Sequence, residues 1–284
     1  MRRRRFDPSV PSVSQHEFYE SNFLKYYRET SKDPDYITIV DGLKILDGGS
    51  GDFGNLIGEL QNQRSDYDVI RIYSSEMIIG TKPFYIYMNE QLYKDDNHTI
   101  SKLMPLIRRA TFQINDKPPM RSYIVYRGID LKYELKKLFQ IGTIFRFPGF
   151  ISASKNQEKA KSFGNTLFVI HVDSYCCHVR DISDISLFPE EEELLFSPYS
   201  LFEVASRDDD VITLTSHDNM QDIGMNTTVE MIDESQPWQV SSVDEDHDTD
   251  DIATTDITTT NYEQHIQSKP YSKKKHHKKS CSIQ

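Results

Sequence analysis

Pro189-Glu190-Glu191-Glu192-Glu193-Leu194-Leu195-Phe196 is the stretch on which the reading of this chain turns. Four consecutive carboxylates ordinarily form a solvated loop. Here they run straight into an apolar, strand-like segment, so Glu193 sits at a strand entrance. Side chains alternate along an extended segment, which predicts Glu191 and Glu193 on one face and Glu192 on the other. Two carboxylates on one face can divide the work of a reaction, one stabilising a cation and one orienting a nucleophile. Glu190 and Glu192 are read as solvated charges.

Around this stretch the second half of the chain reads as strands, over residues 123–126, 143–152, 166–172, 194–196, 201–204 and 211–215. The first half reads as helices. Phe18, Phe23, Leu24 and Tyr27 fall near helical spacing, as do Phe84, Tyr87, Met88, Gln91 and Leu92. Leu103, Leu106, Ile107 and Phe112 predict a third helix with Pro105 near its start. Helices first and strands afterwards predict an α+β fold rather than alternating βαβ units.

Two further segments place polar residues in or at the end of strands. Tyr126-Arg127-Gly128 closes the apolar run Tyr123-Ile124-Val125. An arginine at a strand end, followed by a glycine that permits close backbone approach, suits gripping a phosphate; an ordinary surface ion pair gives the same pattern. Phe150-Ile151-Ser152-Ala153-Ser154 puts Phe150, Ser152 and Ser154 on one face, where the small hydroxyls leave room for the edge of a ligand. A polar edge strand would read the same way.

Taken together and in this order, arginine, Ser-x-Ser, then Glu-x-Glu before an apolar strand, the segments resemble the arginine-serine-glutamate class of ADP-ribosyltransferases. The resemblance is closest to the eukaryotic arginine-specific mono-ADP-ribosyltransferases, and it covers roughly residues 18–215. Tyr126-Arg127-Gly128 is similar to that family's Y-R-G, and residues 150–154 to its F-x-S-T/A-S. Glu191 to Phe196, with Pro198 and Phe202-Glu203-Val204, is similar to E-x-E-V-L-I-P-x-x-x-F-E-V, although the proline is shifted by one place.

What the resemblance implies is a split β-sandwich core with an N-terminal helical lobe, the two enclosing a cleft for NAD as co-substrate, and no metal. Arg127 would hold the NAD phosphates, and the backbone of Gly128 would bond the nicotinamide carboxamide. Ser152 would orient Glu193 and help fix the nicotinamide ribose. Glu193 would stabilise the oxocarbenium-like transition state as nicotinamide leaves, and Glu191 would bind and deprotonate an arginine acceptor on a protein. Hydrolysis of NAD at the same site and a catalytically inactive, membrane-tethered NAD-binding adaptor are the alternatives.

Composition bounds the rest. Hydrophobic residues make up 37% of the 284, below the ~45–50% of an average soluble domain, so some segment dilutes the core. Residues 208–268 carry many acidic side chains and no Lys or Arg, and within them the block 241–260 has few large apolar residues; such a block buries too little surface to offset its ordering entropy. The expected organisation is a basic disordered arm over 1–15, the folded domain over 16–235, a disordered acidic linker over 236–268 and a polybasic tail over 269–284. That tail ends Cys281-Ser282-Ile283-Gln284, which fits a C-a-a-X prenylation signal at Cys281 with lysines upstream as a second membrane signal. The expectation is a monomer held peripherally at a cytoplasmic membrane face through anionic lipid.

Several classes drop out. No apolar run approaches the ~18 residues that span a bilayer. Arg2 to Arg5 are followed by Asp7 and Pro8 rather than an apolar segment, so no secretory signal is read there. Three cysteines, Cys176 and Cys177 adjacent, make neither a disulfide framework nor a C-x-x-C metal site; the pair is read as buried strand content. A net charge of -11 argues against nucleic acid as a partner. Asp47-Gly48-Gly49-Ser50-Gly51-Asp52-Phe53-Gly54 lacks the Gly-Lys-Ser/Thr of a phosphate loop and is read as a flexible turn.

Overall fold

The structure is a computed structural model, and it describes residues 15–63 and 68–217. The basic arm, the acidic linker and the tail carrying Cys281 lie outside the described residues, as does the expected domain boundary at 235.

Seven helices come first: α1 (Gln15–Tyr19), α2 (Asn22–Glu29), α3 (Tyr36–Asp47), α4 (Gly54–Gln63), α5 (Val69–Tyr73), α6 (Phe84–Lys94) and α7 (Asn97–Asn115). A two-stranded ribbon, β1 (Ile78–Ile79) and β2 (Lys82–Pro83), precedes α6. Short polar side chains set the starts. Ser21 Oγ accepts from the Leu24 amide at 3.0 Å, Asp35 from Thr38 at 2.7 Å and Asp96 from Thr99 at 2.9 Å, each satisfying an amide that the helix itself leaves open. The Ser21 cap breaks the expected first helix into α1 and α2. Asp96 caps the third predicted helix nine positions before Pro105, so the proline lies inside α7 and is buried there rather than near its start. A helix this long absorbs the one backbone bond that proline cannot make.

The strands follow: β3 (Tyr123–Ile129), β4 (Ile144–Arg146), β5 (Ile151–Ser154), β6 (Thr166–Val172), β7 (Val179–Asp181), β8 (Glu193–Phe196), β9 (Leu201–Arg207) and β10 (Val211–His217). The short helices α8 (Tyr133–Lys136) and α9 (Gln157–Lys161) lie between them. These eight strands form one sheet in the order β4-β9-β10-β6-β3-β5-β8-β7, antiparallel except for β6 with β10. The expected single strand over 143–152 is two strands, because the chain turns through Phe147-Pro148-Gly149-Phe150 between β4 and β5.

The sheet is split near its middle. β3 pairs with β6 along its whole length, from Tyr123↔Val172 to Ile129↔Thr166. With β5 it shares only Tyr126↔Ser154. Beyond that pair β3 and β5 diverge, leaving a packet β5-β8-β7 splayed from the larger one. The α+β architecture with an N-terminal helical region and a split sheet is the fold expected from the sequence.

Two apolar cores hold this arrangement. One is built from the helices, including Leu43, Leu56, Ile70, Phe84, Leu103 and Ile107, and takes in Phe150, Leu195 and Tyr199 from the sheet side. The other fills the opposite face with Val125, Phe147, Phe168, Ile170, Leu194, Phe196 and Phe202. Each fully buried side chain of this size contributes about 1.5–3 kcal/mol. On β8, Leu195 packs with the helices while Leu194 and Phe196 pack behind the sheet. Alternation therefore turns Glu193 toward the helical side.

Candidate active site

Arg127 lies inside β3 rather than at its end, because β6 continues to pair through Gly128 and Ile129. Its guanidinium reaches across the splay between β3 and β5 and donates to the Ser152 carbonyl at 2.7 Å. Burial pulls its pKa below the usual arginine value, while Tyr93, Tyr73 and Glu193 act in the opposite sense. A guanidinium carries five N–H donors in a planar fork, and the bond to Ser152 engages one of its nitrogens.

Glu193 is almost fully buried at the start of β8. Tyr73, at the end of α5, is beside it. The Tyr73 phenol is raised well above its usual value, first by burial and then by the charge of Glu193, with a hydrogen bond from Asn89 and the charge of Arg127 opposing. Tyr73 thus adjoins both the half-buried Arg127 and the buried carboxylate. Its ring lies 4.8 Å from that of Phe150.

Asn89 ties the helical side to β5 at the same place. The Phe150 amide donates to Asn89 Oδ1 at 2.9 Å, and Asn89 Nδ2 donates to the Phe150 carbonyl at 3.3 Å. A Cβ on the neighbouring Gly149 would meet Asn89 Oδ1 at 2.8 Å, so the approach of α6 depends on that glycine.

The glutamate stretch is not extended before Glu193, contrary to the simple alternation read from sequence. Residues Pro189–Glu191 form a single 3-10 turn, and Glu192 takes a left-handed conformation at φ 47°. The consecutive carbonyls of Glu190, Glu191 and Glu192 are held by the end of β5 and the segment that follows it. Lys159 Nζ donates to the Glu190 carbonyl at 3.5 Å, Ser154 Oγ to that of Glu191 at 2.7 Å and the Lys155 amide to that of Glu192 at 3.1 Å. Lys155 Nζ also pairs with Asp181 Oδ2 at 2.5 Å. The carboxylate of Glu191 lies 3.7 Å from Lys159 Nζ, with 17% of the Glu191 side chain exposed. It is also close enough to Tyr85 to add to the upward shift that burial gives that phenol.

Arg127, Ser152, Glu193 and the Glu191 turn are thus brought to one side of the splay, facing the helical lobe. Across the β5–β8 ladder Ser152 is opposite Leu195, and Ser154 is opposite Glu193. Gly128 has a packing reason of its own, since a Cβ there would lie 2.0 Å from the Ala160 carbonyl. Cys176 and Cys177 fall in the turn between β6 and β7 rather than in a strand, and only Cys176 is buried. The glycine-rich segment after α3 is an ordered turn, in which Asp47 accepts from the amides of Gly51 at 3.0 Å and Phe53 at 2.9 Å. Among the described residues no group of three or more His, Cys, Asp and Glu side chains is placed to hold a metal ion, and no helix is long and apolar enough to cross a membrane.

Tyr73 and Asn89 carried no assigned role in the sequence reading, and Lys159 was not singled out. No local pattern marks them, because each reaches the site through packing between elements far apart in the chain.

The site is thus a half-buried guanidinium and a buried carboxylate at a split in a sheet, with a second, more exposed carboxylate on an anchored turn. Residues 72–222 match the family model described as NAD:arginine ADP-ribosyltransferase, and this chain belongs to that family. It is 34% identical over 105 residues to NAD(P)(+)--arginine ADP-ribosyltransferase 1 of Gallus gallus, covering 37% of this chain and 31% of that protein. It is 36% identical over 133 residues to ecto-ADP-ribosyltransferase 4 of Mus musculus, covering 45% and 40%. The chain therefore spans about a third of the length of the first curated relatives it matches. Among solved structures, the C3 exoenzyme of Clostridium limosum superposes with a TM-score of 0.44 at 16% identity, over 52% of this chain and 83% of that one.

Proposed function

We propose that this chain transfers ADP-ribose from NAD to the guanidinium of protein arginines, with release of nicotinamide. The observation that carries the reading is the contrast in setting between two carboxylates. Glu193 is buried beside Tyr73 and Arg127, whereas Glu191 is held on an anchored turn at the more open side.

The residues present fit a dinucleotide. Arg127 offers further N–H donors to a pyrophosphate at the splay, and the gap between β3 and β5 gives a ligand access to the strand edge. When bound, NAD supplies an ADP-ribosyl group whose bond to nicotinamide breaks with positive charge developing on the ribose. Glu193 is suited to stabilise that charge, because a fixed carboxylate in a site shielded from water acts far more strongly than one in bulk solvent. Ser152, on the same face, is suited to hold Glu193 and the ribose together. Glu191 is suited to bind an arginine guanidinium and accept its proton as the new bond forms.

The ion pair of Lys159 with Glu191 favours a second reading at the same site. While a lysine of the chain itself sits at the acceptor carboxylate, water is the competing acceptor, and the outcome is NAD hydrolysis.

The test is incubation of the purified chain with labelled NAD, with and without agmatine as a guanidinium acceptor. Labelled ADP-ribosyl-agmatine, lowered ~100-fold or more in Glu193→Gln, supports arginine transfer. Free ADP-ribose without adduct supports the hydrolase. Silence in both, with NAD still bound, supports the adaptor.

A further inference from the structure

The contact between Lys159 and Glu191 belongs to neither the NAD-binding side of the site nor either apolar core. α9 places the lysine there. Asn156 accepts from the Lys159 amide at 3.1 Å and fixes the start of that helix, and the Ala160 carbonyl sits against Gly128, seating the helix on β3. The same side chain reaches the Glu190 carbonyl at 3.5 Å and the Glu191 carboxylate at 3.7 Å. The turn carrying Glu191 is separately held by Ser154 and the Lys155 amide, so its position does not depend on Lys159.

Resting on the arginine-transfer reading above, we propose that Lys159 is an internal cation lodged at the acceptor subsite. Through Glu191 it sets how readily an incoming guanidinium competes with water. An acceptor has to displace this ammonium before it can bind the carboxylate.

Three features make displacement workable. At 3.7 Å the pair is looser than the Lys155–Asp181 pair at 2.5 Å. Both side chains are partly exposed, Lys159 by 29% and Glu191 by 17%, so solvent weakens the attraction and an acceptor can reach it. The Glu190 carbonyl also gives the ammonium a second oxygen to retain once the carboxylate is taken. A guanidinium offers two parallel N–H bonds to a carboxylate where an ammonium offers a point charge, and so outcompetes it.

The experiment compares the parent full-length chain with Lys159→Gln and Lys159→Arg, all checked for an unchanged thermal midpoint. Two quantities are read for each: KM for agmatine at saturating NAD, and the affinity of the NAD-free protein for agmatine by titration. Removing a partly exposed ion pair shifts such constants by about two- to five-fold. The expected result is a fall of that size in both constants for Lys159→Gln, larger in the KM for agmatine than in the KM for NAD. Lys159→Arg is expected to hold them at or above the parent values.

Unchanged or weaker agmatine binding in Lys159→Gln would overturn the proposal, since Lys159 would then be supporting Glu191 rather than occupying it. If the parent forms no adduct, the arginine-transfer reading has failed, and the titration alone judges Lys159. A two- to five-fold gain in affinity sustains its place at the subsite, and no gain removes it.

Discussion

Ser154 stands directly across the β5–β8 ladder from Glu193, and its hydroxyl donates to the main-chain carbonyl of Glu191 at 2.7 Å. One small side chain therefore touches the placement of both glutamates. The same hydroxyl accepts from the Asn156 amide at 3.0 Å, which couples the Glu191 turn to the start of α9. Ser154→Ala removes both bonds and is expected to cost about 1 kcal/mol of stability for each well-made one. Initial-rate assays should give a three- to ten-fold loss of transfer to agmatine, on the order of the same energy, with a smaller loss of NAD hydrolysis. An equal loss in both would mean that Ser154 serves Glu193 rather than the Glu191 turn.

Glu191→Gln separates the two carboxylates. Its main chain keeps the bond from Ser154, and the amide still fills the space, but it neither carries charge nor accepts the acceptor's proton. Adduct formation with agmatine is expected to drop by ~100-fold or more, the usual scale for losing a positioned base, while much of the nicotinamide release from NAD survives. Nicotinamide and adduct measured in the same reaction check this. Parallel loss of both would deny Glu191 a role restricted to the acceptor.

How far the sequence reveals this site depends on the range of each interaction. Arg127, Ser152, Glu191 and Glu193 are legible because each lies in or beside a short strand whose pattern is local. The extent of β3 is not, since its continuation through Gly128 depends on pairing with β6 nearly 40 residues later. Glu192 in a left-handed conformation is likewise invisible, because a glutamate rarely adopts φ above zero and here the turn's carbonyl bonds impose it. Tyr73 and Asn89 enter through the packing of α5 and α6 on Phe150, just before β5, and spacing along the chain reports no such contact.

Asn89 is the hinge of that packing and gives a third test. Asn89→Asp keeps the acceptor for the Phe150 amide but removes the donor to the Phe150 carbonyl. It also adds a negative charge close to the buried Tyr73. Loss of about 1–3 kcal/mol is expected in urea denaturation, the range for a buried group left without its partner. KM for NAD should rise, because α6 and β5 flank the proposed binding gap.

Gly128 distinguishes packing from ligand approach. A methyl group there would lie 2.0 Å from the Ala160 carbonyl and 3.3 Å from the Phe163 Cβ, so α9 has to move. Gly128→Ala is expected to destabilise the fold by about 1–3 kcal/mol or more, read as a lower denaturation midpoint in the absence of any nucleotide. A variant with parental stability and only a weaker KM for NAD would assign the glycine to the ligand instead.

His178 is buried beside the Cys176 thiol, and burial, followed by the charges of Arg146 and His217, pushes its pKa down to about 3. An unfolded histidine titrates near ~6.5. Between those two values the unfolded chain binds a proton that the folded chain refuses. The stabilisation is therefore complete above about pH 6.5 and is lost progressively as the pH falls toward about 3, at about 1.4 kcal/mol per pH unit. At pH 5 the loss attributable to this group is about 2 kcal/mol relative to pH 7. His178→Phe keeps an aromatic ring against Phe196, 6.0 Å away, and keeps the main-chain carbonyl that accepts from the Ser197 amide, but it cannot take up a proton. Urea denaturation at pH 7 and pH 5 should show a markedly smaller acid loss in this variant than in the parent. Identical losses would place the acid sensitivity elsewhere, and the carboxylates that accept backbone amides, Asp47 and Asp96, would be the next groups to remove.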